Sequence, residues 1–256
     1  MNEALEGHQA TSTDRGTALL VFARSSLIDA RRKWPGAAVA GVSATSVLLA
    51  HTLAVARDAG QEVVLVTDRE TTALAPPGVR TVPQRGSGFG ARFRNAVADA
   101  FAAGFARVVV IGADVPGLTA GVLREAVARL ESGDDRRVVI GPSRDGGYYL
   151  IGFNQFDARA FEGIPWHTRA VLARTRHALS GRRLSYLAPL TDADDAGSLR
   201  RALAEVGDSV RGLGRALGRV LAALVNPQVR DATRAAAPRW TTALVPVRRG
   251  PPPAFA

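Results

Sequence analysis

The chain has 256 residues, 46% of them hydrophobic and 22% charged, which is a globular composition long enough for one sizeable core. It contains no cysteine, which excludes a disulfide framework, a thiolate zinc site and redox chemistry at sulfur, and fits a cytoplasmic location. The formal charge of +10 is unevenly spread: from Arg200 onward ten arginines face Glu205, Asp208 and Asp231, leaving +3 for the first 199 residues, which together with 6% aromatics argues against nucleic-acid binding by the core.

Residues 1–16 are polar and of mixed charge, and read as a lead-in without the apolar run of a secretory signal. Thr17 to Ala23 reads as a buried strand, Ser43 to Ala59 as a helix and Glu62 to Thr67 as a second strand, which is βαβ grammar. The stretch Ala37 to Ala56 has the length of a membrane span, but Ser43, Thr45, Ser46, His51 and Thr52 interrupt it and a strand follows at once, so a buried core helix is expected. A short strand near Val79 to Val82 precedes a helix from Ala91 to Ala103, and Arg107 to Gly112 forms the most apolar strand. Thr119 is placed to cap a helix whose Val122, Leu123, Ala126, Val127 and Leu130 share a face, before a strand from Arg137 to Gly141. Gly146 to Phe153 reads as a strand, His167 to Leu179 as a helix, Arg183 to Ala188 as a strand, and a further helix starts near Asp195. Strands apolar on both faces need helices above and below, so the expectation is an α/β fold with a mixed, mostly parallel sheet flanked by helices on both faces. Residues 17–204 form its domain, and 205–256 supply an appendage: a basic amphipathic helix carrying Arg211, Arg215 and Arg219, then a loose proline-rich tail. That helix is a candidate for packing on the body, or for contact with an anionic partner or membrane surface.

Ligands of open α/β sheets bind beyond the carboxyl ends of the strands, so polar residues there are the candidates. After the first strand stand Arg24, Ser25 and Ser26, without the glycine fingerprint of a dinucleotide site; phosphate-loop and nucleophile-elbow motifs are absent as well. In Gln84 to Arg92 the glycines Gly86, Gly88 and Gly90 lead into a helix beginning with Arg92, a pattern that admits a phosphate or makes a plain turn. Asp114, followed by Pro116, ends the apolar strand, where a carboxylate can hold Mg²⁺ or Mn²⁺ against a diphosphate or cap a turn. Asp145, Gly146 and Gly147 form a turn before Tyr148 and Tyr149, and Asp192 and Asp194 precede a helix for which Asp195 is a cap candidate. The four histidines form no ligand pair; His167, beside Trp166, is placed to touch a ligand.

GADVPGLT followed by VVIGPSRDGGYYLIGF, with QRGSGFGARF upstream and IPWHT and TDADDAGSL downstream, resembles the uncharacterised bacterial glycosyltransferase-like family of the GT-A superfamily, also labelled selenodomain-associated transferases. The resemblance runs from about residue 17 to 204. It implies a nucleotide-diphospho-sugar transferase fold, with Asp114 at the metal-binding position, Asp192 or Asp194 as a second metal or substrate contact, and Asp145, Gly146 and Gly147 shaping the sugar or acceptor pocket. Tyr148, Trp166 and His167 fall beside that pocket, and Arg24, Ser25, Arg32, Gln84, Gly86, Gly90 and Arg92 are the nucleotide or phosphate candidates. The expected activity is metal-dependent transfer of a sugar from a nucleotide diphosphate-sugar to a small-molecule acceptor. The alternatives are a nucleotidyltransferase, taking a nucleoside triphosphate and releasing pyrophosphate, and a catalytically silent binding protein of the same fold.

One segment departs from the family. Its members carry a first loop resembling FAKxPxPGxxKTRL, and this chain has FARSSLIDARRKWP. Asp29 replaces the glycine, Ser26 and Ile28 the prolines, Arg32 the lysine and Trp34 the arginine. An acidic side chain there opposes a diphosphate, while Arg24, Arg31, Arg32 and Lys33 offer compensating charge.

Overall fold

The computed structural model describes residues 15–35, 37–68, 75–206 and 211–225. Its centre is a seven-stranded sheet of β1 (Thr17–Phe22), β2 (Glu62–Thr67), β3 (Arg80–Pro83), β4 (Arg107–Gly112), β5 (Arg137–Pro142), β6 (Tyr148–Phe153) and β7 (Arg183–Tyr186), in the order β3-β2-β1-β4-β6-β5-β7. All neighbours are parallel except β6, which runs antiparallel to both β4 and β5. Only five residues separate β5 from β6, too few for a crossover, so the chain must double back. The expected mixed, mostly parallel sheet is the one observed.

Alternation along the strands feeds two cores. Leu19, Val21, Leu65, Val109 and Ile111 face one side of the sheet, where they meet Leu53, Leu123 and Leu130. Ala18, Leu20, Val64, Val108, Val110 and Ile151 face the other, against Phe93, Val97 and Phe161. The helices that cover these faces are α2 (Ala38–Asp58), α3 (Gly88–Ala102), α4 (Ala120–Glu131) and α5 (Val171–Ala178). α4 begins as its sequence suggests, with the Thr119 hydroxyl accepting from the Val122 N–H at 3.3 Å.

α2 is apolar and long enough to cross a bilayer, yet Leu48, Leu49, Leu53 and Ala56 are buried within the protein. Its internal hydroxyls fit the same role, since Thr45 and Thr52 donate to carbonyls one turn back. A third apolar cluster joins α2 to α1 (Ser26–Lys33), α6 (Ala196–Val206) and α7 (Arg211–Val225). On α7 Leu213, Leu217 and Val220 are spent in that cluster while Arg215 and Arg219 are exposed. These three apolar side chains of α7 are therefore covered by the body of the protein. The proline-rich tail lies outside the described residues.

The sequence reading treats residues 24–33 as a loop, and the structure corrects this: residues 26–33 are helical. Ser25 caps the helix by accepting from Ile28 N–H, Asp29 sits in its first turn, and Arg31, Arg32 and Lys33 occupy its last, each the favourable choice for the helix dipole. Its period is hard to read because Leu27 and Ile28 both face solvent.

Candidate functional site

β1 has β2 on one side and β4 on the other, so the chain winds outward through β2 and β3 and then returns across β1. That reversal opens a crevice beyond the carboxyl ends of β1 and β4, and it holds a cleft of about 270 Å³. The volume is at the small end for ligand pockets, so a nucleotide-sized ligand would extend beyond its mouth. Arg24, Asp29, Arg32, Asp114, Asp145, Gly147, Tyr148, Trp166, His167, Asp192 and Asp194 all line it. Sites up to 170 residues apart in sequence thus converge.

Backbone ties assemble the acidic bank. The bend at residues 143–147 closes through Gly146 N–H to Ser143 and Ser143 N–H to Gly147. Arg144 N–H donates to the Leu190 carbonyl, and Ala193 N–H to the Asp114 carbonyl at 2.8 Å. These bonds bring the turn after β5, the end of β4 and the segment before α6 to one place. Gly146 is required there: its φ is +97°, and a Cβ would collide with the Arg169 carbonyl. Asp195 does the capping of α6, accepting from Ser198 N–H at 2.6 Å, which leaves Asp192 and Asp194 free of that duty. Carboxylate oxygens of Asp145, Asp192 and Asp194 lie within 4.8 Å of one another.

Asp114 is differently placed from the expectation. Lys33 Nζ donates to its Oδ2 at 2.6 Å, and the same ammonium is 3.0 Å from Asp194 and 3.6 Å from Asp29. Asp29, the residue expected to repel a phosphate, spends its charge on Lys33 and on Arg32, 3.4 Å away. Burial alone would raise the Asp114 pKa, but Lys33 outweighs it and holds the carboxyl below the usual range. Among the described residues Asp192 has no such cation in contact. Burial, followed by the charges of Asp114 and Asp145, pushes its carboxyl up to about 7.

Beside this acidic group the cleft is basic and aromatic, and the two meet where Arg32 lies 3.6 Å from Asp194. His167, at φ 64°, packs its ring 4.9 Å from Phe89, which also meets Trp166 at 5.0 Å. Burial, then the neighbouring charges of Arg32 and Arg24, lower the His167 pKa, and Arg92 adds to them. The imidazole is therefore neutral near pH 7, and three arginines named from sequence act on its charge, opposed by Asp194. Burial, Arg32 and Arg92 likewise lower the pKa of Arg24, a concentration of like charge that an anion would relieve.

Other residues serve differently from the sequence expectation. The Gln84 amide donates to the carbonyls of Ala23 and Val66 at 2.7 and 3.2 Å, latching β1 to β2 rather than facing the cleft. Gly86 is a turn residue with φ +124°. Gly90 lies within α3, where a Cβ would strike the Trp166 indole. Ser25 is the cap of α1, and its N–H donates to Asp68 at 2.6 Å. Tyr148 lines the cleft with its ring while its hydroxyl is buried, and that burial raises its pKa. Lys33, named from the sequence only as one of several compensating charges, is the residue whose partner the sequence leaves unassigned; the cap at Ser25, with basic residues about two turns later, is the available signal for its helix.

A family model described as "Uncharacterized protein conserved in bacteria (DUF2064)" matches residues 43–168. The match covers just under half of the chain. No curated protein matches the chain. Among solved structures it is similar to a candidate nucleotide-diphospho-sugar transferase from Desulfovibrio desulfuricans G20, at 24% identity and TM-score 0.71 over 85% of this chain and 98% of that one. It is also similar to Rv0371c from Mycobacterium tuberculosis H37Rv, at 18% identity and TM-score 0.51 over 74% of this chain and 97% of that one. An Rv0371c homolog from Mycobacterium sp. strain JC1 gives 17% identity and TM-score 0.50 over 74% and 96%. These likenesses establish the nucleotide-diphospho-sugar transferase-like fold for this chain.

Proposed function

We propose that the protein is a transferase that binds a nucleotide diphosphate-sugar in this cleft and passes the sugar to a small-molecule acceptor. The observation that carries the reading is the company the cleft keeps at the sheet's reversal point: Arg24 and Arg32 line it together with Asp145, Asp192 and Asp194, Arg32 standing 3.6 Å from Asp194, and the charge of Arg92 reaches Arg24 and His167. Arginine guanidinium groups match the oxygens of a diphosphate. The aromatic wall of Phe89 and Trp166 supplies an apolar surface against which a ring can lie.

The acidic group suits Mg²⁺ or Mn²⁺. Three carboxylates converge there, the donor chemistry of a hard cation, and burial with the charges of Asp114 and Asp145 pushes Asp192 up to about 7, a repulsion that a cation would relieve. Asp145, Asp192 and Asp194 would hold the ion, which when bound supplies positive charge to a leaving diphosphate. Arg24 and Arg32, the latter beside Asp194, bind and orient the phosphates. Neutral His167 and Trp166 close the cleft around the reacting sugar and exclude water. In transfer, an acceptor hydroxyl oxygen forms a bond to the anomeric carbon as the carbon–oxygen bond to the diphosphate breaks. The products are the glycosylated acceptor, a nucleoside diphosphate and the hydroxyl proton.

The test is incubation of the purified chain with panels of nucleotide sugars and of nucleoside triphosphates, with and without Mn²⁺, followed by phosphorus NMR and by calorimetric binding. Release or tight binding of a nucleoside diphosphate supports the proposal. Pyrophosphate release replaces it with nucleotidyl transfer, and absence of both binding and turnover across the panels overturns it in favour of a silent binding protein.

A further inference from the structure

The chain has 33 basic residues, and 32 of them are arginine. The single lysine is Lys33, whose side chain is 1% exposed. Its Nζ is ringed by four oxygens: Asp114 Oδ2 at 2.6 Å, Asp194 Oδ1 at 3.0 Å, the Ala193 carbonyl at 3.5 Å and Asp29 Oδ2 at 3.6 Å. An all-oxygen shell rich in carboxylates is what a hard cation takes. A compact ammonium can sit at the centre of such a shell, whereas the planar five-donor fork of arginine cannot contract to a point. In a chain that otherwise uses arginine throughout, that geometry explains why lysine stands here.

We infer that the Lys33 ammonium is a built-in cation occupying the place of a divalent ion between Asp114 and Asp194, so that Asp114 is not a metal ligand in this protein. The inference rests on reading the cleft as a phosphate-binding site. It divides the acidic bank. Asp114 is neutralised from within by α1, Asp194 is shared between Lys33 and the neighbouring carboxylates, and Asp145 and Asp192 are left to an exchangeable ion. The departure at residues 24–33 thereby acquires a purpose: helical winding places Asp29 and Lys33 four residues apart on one face, turned toward the end of β4.

The test is a count of bound Mn²⁺ per full-length chain by electron paramagnetic resonance titration, with melting temperature followed by circular dichroism. Lys33→Met is expected to bind one more Mn²⁺ than the native chain and to regain in Mn²⁺ the melting temperature it loses without metal. The double substitution Lys33→Met with Asp114→Asn loses that extra ion. Asp114→Asn alone leaves the native count unchanged. Lys33→Gln, which retains a hydrogen-bond donor, replaces the methionine variant should that variant not fold. A folded Lys33 variant with the native count overturns the inference, as does loss of an ion from the native chain on Asp114→Asn. Failure of both Lys33 variants to fold even in Mn²⁺ overturns it too, because a divalent ion would then be unable to take the ammonium's place. The native count is a separate reading: no ion in the native chain and one in Lys33→Met defeats the divalent ion of the proposed function while sustaining the role of Lys33.

Discussion

The end of β4 and the segment before α6 each put a carboxylate into the same cleft, and the two carboxylates behave oppositely. Asp114 meets Lys33 and is held below the ordinary range, while Asp192 meets Asp114 and Asp145 and is raised to about 7. Burial works against the charge in both cases, so burial does not account for the difference; the sign of the nearest partner does. One cation thus separates a fixed structural charge from a group that titrates near neutrality.

Removing that cation should have the largest effect. Lys33→Met is expected to destabilise the metal-free protein by about 3–5 kcal/mol, the usual consequence of leaving a buried charge without its partner, measured by urea denaturation. Asp192→Asn should act in the opposite direction. Because the folded state keeps the Asp192 proton that the unfolded chain releases between about pH 4 and pH 7, native stability falls as pH rises across that window. The asparagine variant should flatten this fall and gain roughly 1–3 kcal/mol above pH 7, while Mn²⁺ binding, which tightens in the native chain as pH rises through about 7, weakens and loses its pH dependence.

A third carboxylate sharpens the contrast away from the cleft. Asp157 is 6% exposed; burial opposes its charge, but hydrogen bonds from Arg159 and Arg182 at 2.6 and 2.7 Å bring its pKa down to about 2. Its contribution is therefore present above about pH 4 and lost as pH falls toward 2. Asp157→Asn should cost roughly 1–2 kcal/mol at pH 7, allowing for the solvent around Arg159, and should shrink the acid limb of the stability curve. The smallest effect is expected on the basic bank, where Arg24→Ala should weaken nucleotide diphosphate-sugar binding about tenfold, or about 1.4 kcal/mol, with a shallower salt dependence and an unchanged melting temperature.

Much of this architecture is legible in the sequence because its signals are local. Apolar runs such as RVVVIG mark strands, and the rule that ligands gather beyond strand ends singles out Arg24, Asp114, Asp145, Asp192 and Asp194, all of which line the cleft. What escaped depends on distant partners. Lys33 reads as one member of a basic run until Asp114, 81 residues away, is placed beside it. Gln84 reads as a phosphate ligand because its glycine-rich surroundings suggest one, yet its amide is claimed by Ala23 and Val66. Gly90 looks like loop punctuation and proves to be clearance for an indole 76 residues further on. α1 itself was missed because exposed Leu27 and Ile28 break the apolar stripe by which helices are recognised.

The short helix α1 is pinned at both extremities, by the Asp68 carboxylate on the N–H of its Ser25 cap and by Asp114 on its final residue. A segment clamped at head and foot has no free end from which to fray and no hinge about which to swing. This flank of the cleft is thereby tied to the ends of β2 and β4, two neighbours of the central strand.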